Sequence, residues 1–377
     1  MDTNPDMTAP TRVEDDVVDQ LYFASQWKLM WLKFRRHKLA MLAGIIIALM
    51  YTAALLAPFL APYGPTQRHR GFVLRPPQSV RFLDEQGFSL RPFVHPVSGT
   101  MNPETFQREY VADTSRRIPV RFFVRGEEYR LFGLFTTNIH LFGVDEGSLH
   151  LFGTDNLGRD VFSRVIYGGQ ISMSIGLVGV LMSLVLGLIF GGISGYFGGA
   201  VDNAIQRLIE VLRSFPKIPL WMALSAAIPP QVSPIAVYFG ITIILSLVGW
   251  TALGREVRGK VLAIKNEDFV IAARIAGTSE PRIIATHLIP SFMSHIIASL
   301  TLSIPQMILA ETALSFLGIG LRPPVVSWGV MLQQAQSVAV LVLAPWLLIP
   351  GIFVVAFVLV FNFLGDGLRD AADPYGN

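Results

Sequence analysis

The chain has 377 residues, more than half of them hydrophobic and only 15% charged, against roughly a quarter charged in soluble domains. A formal net charge of +3, with no basic aromatic patch, argues against nucleic acid as a partner. No cysteine is present, which excludes disulfides, thiolate metal sites and cysteine nucleophiles.

Residues 1–20 are acidic and polar, and the segment 1–38 ends in a basic cluster of Lys28, Lys33, Arg35, Arg36 and Lys38. That cluster predicts a cytoplasmic N-terminal segment. The first apolar run is too long for the core of a cleavable signal. Residues 39–63 carry no charge and predict transmembrane helix 1, since a bilayer core takes about 20 apolar residues as helix.

Residues 64–168 are polar and proline-rich, and predict a periplasmic insert with a lead-in to helix 2. Within it Val120, Phe122 and Val124 alternate with Arg121, Phe123 and Arg125. Gly126-Glu127 then offers a turn before Tyr129 and Leu131, which is a hairpin pattern. A short echo follows, from His140-Leu141-Phe142-Gly143 to His150-Leu151-Phe152-Gly153. A small β-containing cap is expected.

Residues 169–365 predict the transmembrane core, with helices 2–6. Helix 2 is expected near 170–194, helix 3 near 206–228, helix 4 near 233–254, helix 5 over 288–310 with Pro305 as a kink, and helix 6 over 337–365. Arg207, Arg213, Lys217, Arg255, Arg258, Lys260, Arg274 and Arg282 fall in connections on one side, and Arg322 stands alone on the other. This positive-inside pattern places both termini in the cytoplasm, with residues 366–377 as a cytoplasmic tail. The fold expected is an all-α polytopic membrane protein of six transmembrane helices.

Several features carry candidate function. Glycines crowd helix 2, and Gly187 with Gly191 forms a small-xxx-small pair suited to close helix packing. Glu311 lies near the outer end of helix 5. An acidic group there is a candidate for the translocation path. The stretch Gly254 to Val261 nearly spells a phosphate-binding loop, but Val261 stands where magnesium needs a hydroxyl. A basic helix end is the expected reading. No histidine pair has metal-ligand spacing, and no nucleophile–base arrangement is visible.

The cytoplasmic loop 255–290 is the most informative. A helix carrying Ala272, Ala273, Arg274 and Ala276 is expected to stop at Gly277. Thr278 or Ser279 then caps a second helix that has Pro281 in its first turn. The run from Ala272-Ala273 through Gly277 to His287-Leu288-Ile289-Pro290 resembles the "EAA" loop of ATP-binding-cassette (ABC) importer permeases. Four further stretches resemble the dipeptide/oligopeptide/nickel branch, and its second, C-type permease in particular. They are Phe152-Gly153-Thr154-Asp155 through Arg164, Gly195-Tyr196-Phe197-Gly198-Gly199 with Asp202, Ser315-Phe316-Leu317-Gly318 with Ser327-Trp328-Gly329, and Gly365-Asp366-Gly367-Leu368-Arg369-Asp370.

The resemblance implies a type I importer permease fold and no enzymatic activity in this chain. It implies that Ala272, Ala273, Arg274, Gly277, Thr278, Ser279, Glu280 and Arg282 couple to an ATPase subunit. The expected partners are a second unlike permease, two ATPase subunits that bind ATP and Mg, a periplasmic solute-binding protein and membrane lipid. No cofactor is expected on this chain. Peptides are the first solute expected and oligosaccharides the second, because the insert is longer than in common peptide permeases. A stand-alone secondary transporter or channel is the rival class; it predicts inverted repeats, and none is visible. The usual glutamate of the loop is replaced by Ile271.

Overall fold

A computed structural model describes residues 26–101, 103–104, 108–229 and 231–372. Most of the expected N-terminal segment, the end of the tail and Pro230 lie outside the described residues.

Helix α1 (Gln26–Arg36) ends in the basic cluster, and α2 (Lys38–Leu55) follows at once. His37 turns the chain between them by accepting the Ala40 N–H on its side chain. The expected single span 39–63 closes early. A break at Leu56 gives α3 (Ala57–Leu60), with Pro58 in its first turn. Proline fits there because first-turn N–H groups have no helical partner.

The insert is β-rich, as expected, with seven strands among the described residues: β1 (Arg81–Asp84), β2 (Gly87–Val94), β3 (Val97–Met101), β4 (Arg108–Ala112), β5 (Ile118–Pro119), β6 (Arg121–Leu131) and β7 (Phe135–Gly143). They pair antiparallel as β1-β2-β5, β3-β4 and β6-β7. The expected turn at Gly126-Glu127 is not one. Strand β6 runs through it, with only a register shift between Arg125 and Tyr129. The His140 ring fills the space where a side chain at Gly126 would lie, so the glycine admits an imidazole and the turn moves to 132–134. Asp84 anchors β1 to the strands beside it. The Arg117 guanidinium holds the Asp84 carboxyl at about 2, below its ordinary 3.8.

The long helix α4 (Val161–Phe197) follows. At 37 residues it is about 55 Å long, well beyond a hydrocarbon core. The sequence motif from Phe152 to Arg164 is its capping structure. Asp160 accepts the Ser163 N–H and hydroxyl, both at 2.7 Å. Its other oxygen meets His150 Nδ1 at 2.9 Å. Asp155 accepts the N–H groups of Leu157 and Arg159 and pairs with Arg159 Nε at 2.7 Å.

Helix 3 was expected as one span at 206–228. It is divided at Phe215-Pro216 into α5 (Gly199–Ser214) and α6 (Lys217–Ala226). The cause is Pro216, which lacks an N–H and biases the residue before it away from helix. Helix α7 (Pro234–Ile264), capped by Ser233, is continuous. The near-P-loop from Gly254 to Val261 is plain helix within it. The coupling region and the outer segments complete the chain. They include α8 (Asp268–Ile275), α9 (Glu280–Ile283), a π-helical turn over 284–288, α10 (Ile289–Ser291), α11 (Met293–Phe316), α12 (Trp328–Gln333), α13 (Val338–Leu343) and α14 (Ile349–Ala372). The expected tail at 366 is helical as far as Ala372.

Among the described residues, five segments are long and apolar enough to cross a membrane: Lys38–Leu55, Val161–Phe197, Pro234–Ile264, Met293–Phe316 and Pro345–Ala372. The sixth crossing follows from geometry. Contacts between α4 and α7 advance in the same direction along both helices. Tyr238 donates to Ser174, and Ser246 donates to the Gly179 carbonyl. Gly187 lies on Leu253, Gly191 on Gly254 and Gly195 on Val261. The helices are therefore parallel, and residues 198–233 must carry the chain back across. They do so in two pieces, α5 and α6.

The seam requires glycine at its tightest point. A methyl group at Gly191 would lie 2.5 Å from the Gly254 carbonyl oxygen. Gly191→Val is expected to destabilise the bundle by about 2 kcal/mol or more through overpacking, measured as a fall in the melting temperature of the detergent-solubilised chain. A milder test concerns the insert. Asp84, with its lowered folded pKa, stabilises the insert above about pH 4, and that contribution drains away as pH falls towards 2. Asp84→Asn should remove this acid sensitivity from the insert's circular dichroism.

Candidate coupling site

Residues 265–290 form a small knob beneath α4 and α7, while 255–264, expected in the loop, are the last turns of α7. Val270, Ile283, Ile284 and Leu288 are its buried roots, packed with Leu253, Val257, Val261 and Tyr196. Their spacing puts one face of α8 and one face of the 280–288 segment against the same core. The opposite faces are left outward.

The corner between α8 and α9 is a Schellman turn. The Thr278 N–H donates to the Ala273 carbonyl at 3.1 Å, and the Gly277 N–H to that of Arg274 at 3.0 Å. Gly277 has φ +80, a left-handed conformation that side chains resist. Nothing lies within 4 Å of where its Cβ would be, so the corner opens onto free space. Ser279 takes the N-cap backbone conformation of α9, with Pro281 in the first turn, and makes no side-chain cap bond.

Of the sequence-identified residues, Ala272, Arg274, Gly277, Ser279, Glu280 and Arg282 are exposed, while Ala273 and Thr278 are half-buried. The structure brings all eight onto one knob. It adds three residues that sequence reasoning missed. Ile275 is 82% exposed, and Phe269 and Ile271 are also exposed on α8. A helix of eight residues with three large apolar side chains outward does not belong in water. Their signal was present in the sequence: an apolar set on α8 larger than one buried face can use.

The knob is also held from the side. Arg274 lies over the Tyr196 ring at 5.7 Å and donates to its hydroxyl at 3.3 Å. Lys265 donates to the carbonyls of Gly195 and Tyr196, which are orphan groups at the C-terminus of α4. Asp202 in α5 accepts both Arg258 Nε and Nη2 at 2.6 Å. The Ser194 hydroxyl donates to the same carboxylate. Asp202 stood in the quoted motif, but its partner could not be read from spacing.

Glu311 lies elsewhere, at the opposite end of the bundle. It is fully buried. The hydroxyls of Ser172, Ser315 and Ser327 donate to its carboxylate at 3.1, 2.8 and 2.8 Å. Each serine also accepts a backbone N–H, from Trp328, Leu321 and Val330 respectively. Glu311 thus binds α4, α11 and the start of α12 together.

A bundle of apolar spans with an anchored, outward-facing knob defines a polytopic membrane transport subunit. Residues 159–375, more than half of the chain, match the family described as "Binding-protein-dependent transport system inner membrane component". Residues 25–77 match the "N-terminal TM domain of oligopeptide transport permease C". The chain belongs to the binding-protein-dependent transport permease family. It is 41% identical over 220 residues to the dipeptide transport system permease protein DppC of Bacillus subtilis, a match covering 58% of this chain and 66% of that one. It is 41% identical over 219 residues to the oligopeptide transport system permease protein OppC of Escherichia coli K12, covering 58% and 70%. The matched segment thus spans about two thirds of each relative. An inward-facing form of the MetNI methionine ABC transporter aligns with 56% of this chain and 97% of that one, at 17% identity and TM-score 0.43. That likeness is too slight to carry an argument.

Glu311→Ala leaves three buried hydroxyls without an acceptor. A loss of about 2 kcal/mol or more is expected from those orphaned groups, read as a lower melting temperature, with Glu311→Gln intermediate.

Proposed function

We propose that this permease is one of two unlike membrane subunits of an ATP-driven peptide importer in the bacterial inner membrane. In this reading residues 268–283 are the handle through which a separate ATPase moves it. The supporting observation is the exposed apolar face of Phe269, Ile271 and Ile275, set on a corner whose roots are buried. An exposed apolar patch on a rigid element marks a protein contact.

The assembly would contain this chain, a second permease, two ATPase subunits and a solute-binding protein outside. ATP and Mg would sit on the ATPases, and none on this chain. Both termini and the knob would face the cytoplasm, and residues 64–168 the periplasm. The small residues Ala272 and Ala276 let a groove wall approach closely, while Arg274, Glu280 and Arg282 at the rim would set its orientation. In the resemblance family a glutamate stands where Ile271 is, so the polar contact is exchanged here for an apolar one.

Displacement of a rigid knob is transmitted because packed helices switch between discrete arrangements. The route here is continuous. Leu288 and Ile284 press on Val257 and Val261 of α7, and α7 is zipped to α4 along the glycine seam. Peptides are preferred over oligosaccharides because the named relatives are dipeptide and oligopeptide permeases.

The test uses the corner. Gly277→Ala and Gly277→Trp should cost similar backbone strain, about 1–3 kcal/mol, because the site is open. Only the indole would obstruct a docked partner. Uptake of a labelled tripeptide should persist in Gly277→Ala and vanish in Gly277→Trp, with equal amounts of both chains in the membrane. Equal uptake by the two variants would sink the coupling assignment.

A further inference from the structure

The β6-β7 hairpin ends in a turn that is unusual for a domain in water. Leu131 and Phe135 pair at its mouth, and Phe132, Gly133 and Leu134 form the tip. The Leu134 N–H closes the turn on the Leu131 carbonyl at 3.0 Å. Both Phe132, at φ 53, and Gly133, at φ 73, are left-handed. Such turns ordinarily hold Asn-Gly, and a bulky residue there is an outlier. The strain holds a phenyl ring outward. Leu134 is 78% and Phe135 65% exposed, and Phe132 is exposed beside them. No charge interrupts residues 131–135, while Arg130 and Arg125 stand on the strand just behind.

The height of the hairpin can be placed against the membrane. About 20 residues outward from Lys38 brings the hydrocarbon boundary to the turn holding Pro58 and Phe59. Helix α4 runs alongside: Tyr51 donates to the Met173 carbonyl, and the Tyr63 N–H to Ser163 Oγ. Tyr167 therefore lies at the same boundary. The hairpin meets both landmarks. The Phe123 ring is 6.3 Å from that of Phe59, and Phe142 is 5.5 Å from Phe162 on α4. His140, whose ring lies 5.1 Å from that of Tyr129, meets the Ala61 carbonyl at 2.7 Å through Nδ1. Leu131 is only two residues, about 7 Å, beyond Tyr129.

We infer that the tip of the β6-β7 hairpin dips into the outer leaflet, with Phe132, Leu134 and Phe135 among the acyl chains and Arg125 and Arg130 at the lipid phosphates. The observations that commit it to lipid are its continuity with the membrane-facing ends of α3 and α4, and the cationic residues immediately behind an uncharged tip. Interfacial segments of this pattern settle roughly 5–10 Å into the headgroup–acyl boundary. The inference goes beyond the importer reading, and rests on it for which leaflet is the outer one and for the partner subunits of the assembly.

The chain contains no cysteine, so a single site can be labelled. The assembled transporter, with its partner subunits stripped of reactive cysteine, would be placed in nanodiscs of phosphatidylethanolamine and phosphatidylglycerol. A nitroxide would be attached at Leu134→Cys or, as an aqueous reference, at Leu90→Cys, which is 88% exposed on β2. The Leu134 label should collide severalfold more with oxygen, and severalfold less with a water-soluble nickel chelate, than the Leu90 label. Equal nickel access at the two sites overturns the inference. So does protection at Leu134 that appears only when a solute-binding protein is added, which would make the tip a protein contact.

Discussion

The structure depends on the close, parallel contact between α4 and α7. Two helices that run the same way in a membrane cannot be neighbours in sequence without a return crossing. That constraint forces residues 198–233 through the bilayer even though neither α5 nor α6 is long and apolar enough alone. Contact this close requires residues without bulk. Gly187, Gly191 and Gly195 supply them on α4, and Gly254 answers from α7. In lipid, where burying apolar side chains between helices gains little, such backbone proximity is the main source of association.

The same contact positions the knob. The ends of α4 and α7 emerge together, so Tyr196 from one and Val261 from the other can form a single platform. Asp202 with Arg258, and Lys265 with the last carbonyls of α4, secure the platform by charge. The arrangement is stiff where it meets the bundle and bare where it faces away. A lever has that distribution, whereas a loop that merely connects two spans would bury its apolar residues or lack them.

Much of this was legible in the chain. Uncharged runs gave the spans, and the Gly277 corner was read correctly because only a left-handed exit fits glycine between two helix patterns. What failed has identifiable causes. Pro216 divides the third span, but a hydrophobicity count passes over a single proline. The hairpin turn was sought at Gly126-Glu127, because glycine usually marks turns. Here it marks the seat of the His140 ring, and the true turn uses Phe132 in a conformation no pattern rule favours. The setting of Glu311 was out of reach as well: its three serine donors come from positions 172, 315 and 327, a convergence invisible to spacing.

The collar around the outer end of α4 carries one last implication. Asp160, His150 and Ser163 join with Tyr63, whose hydroxyl accepts the Leu149 N–H, and with Thr154, whose carbonyl accepts Trp346 Nε1. The segment after the first span, the lead-in to the long helix, the helix itself and the approach to α14 are riveted at one point. Any tilting of α4 must therefore carry this lead-in along with it, so that a change at the far end of a 37-residue helix is felt at the junction without any intervening hinge.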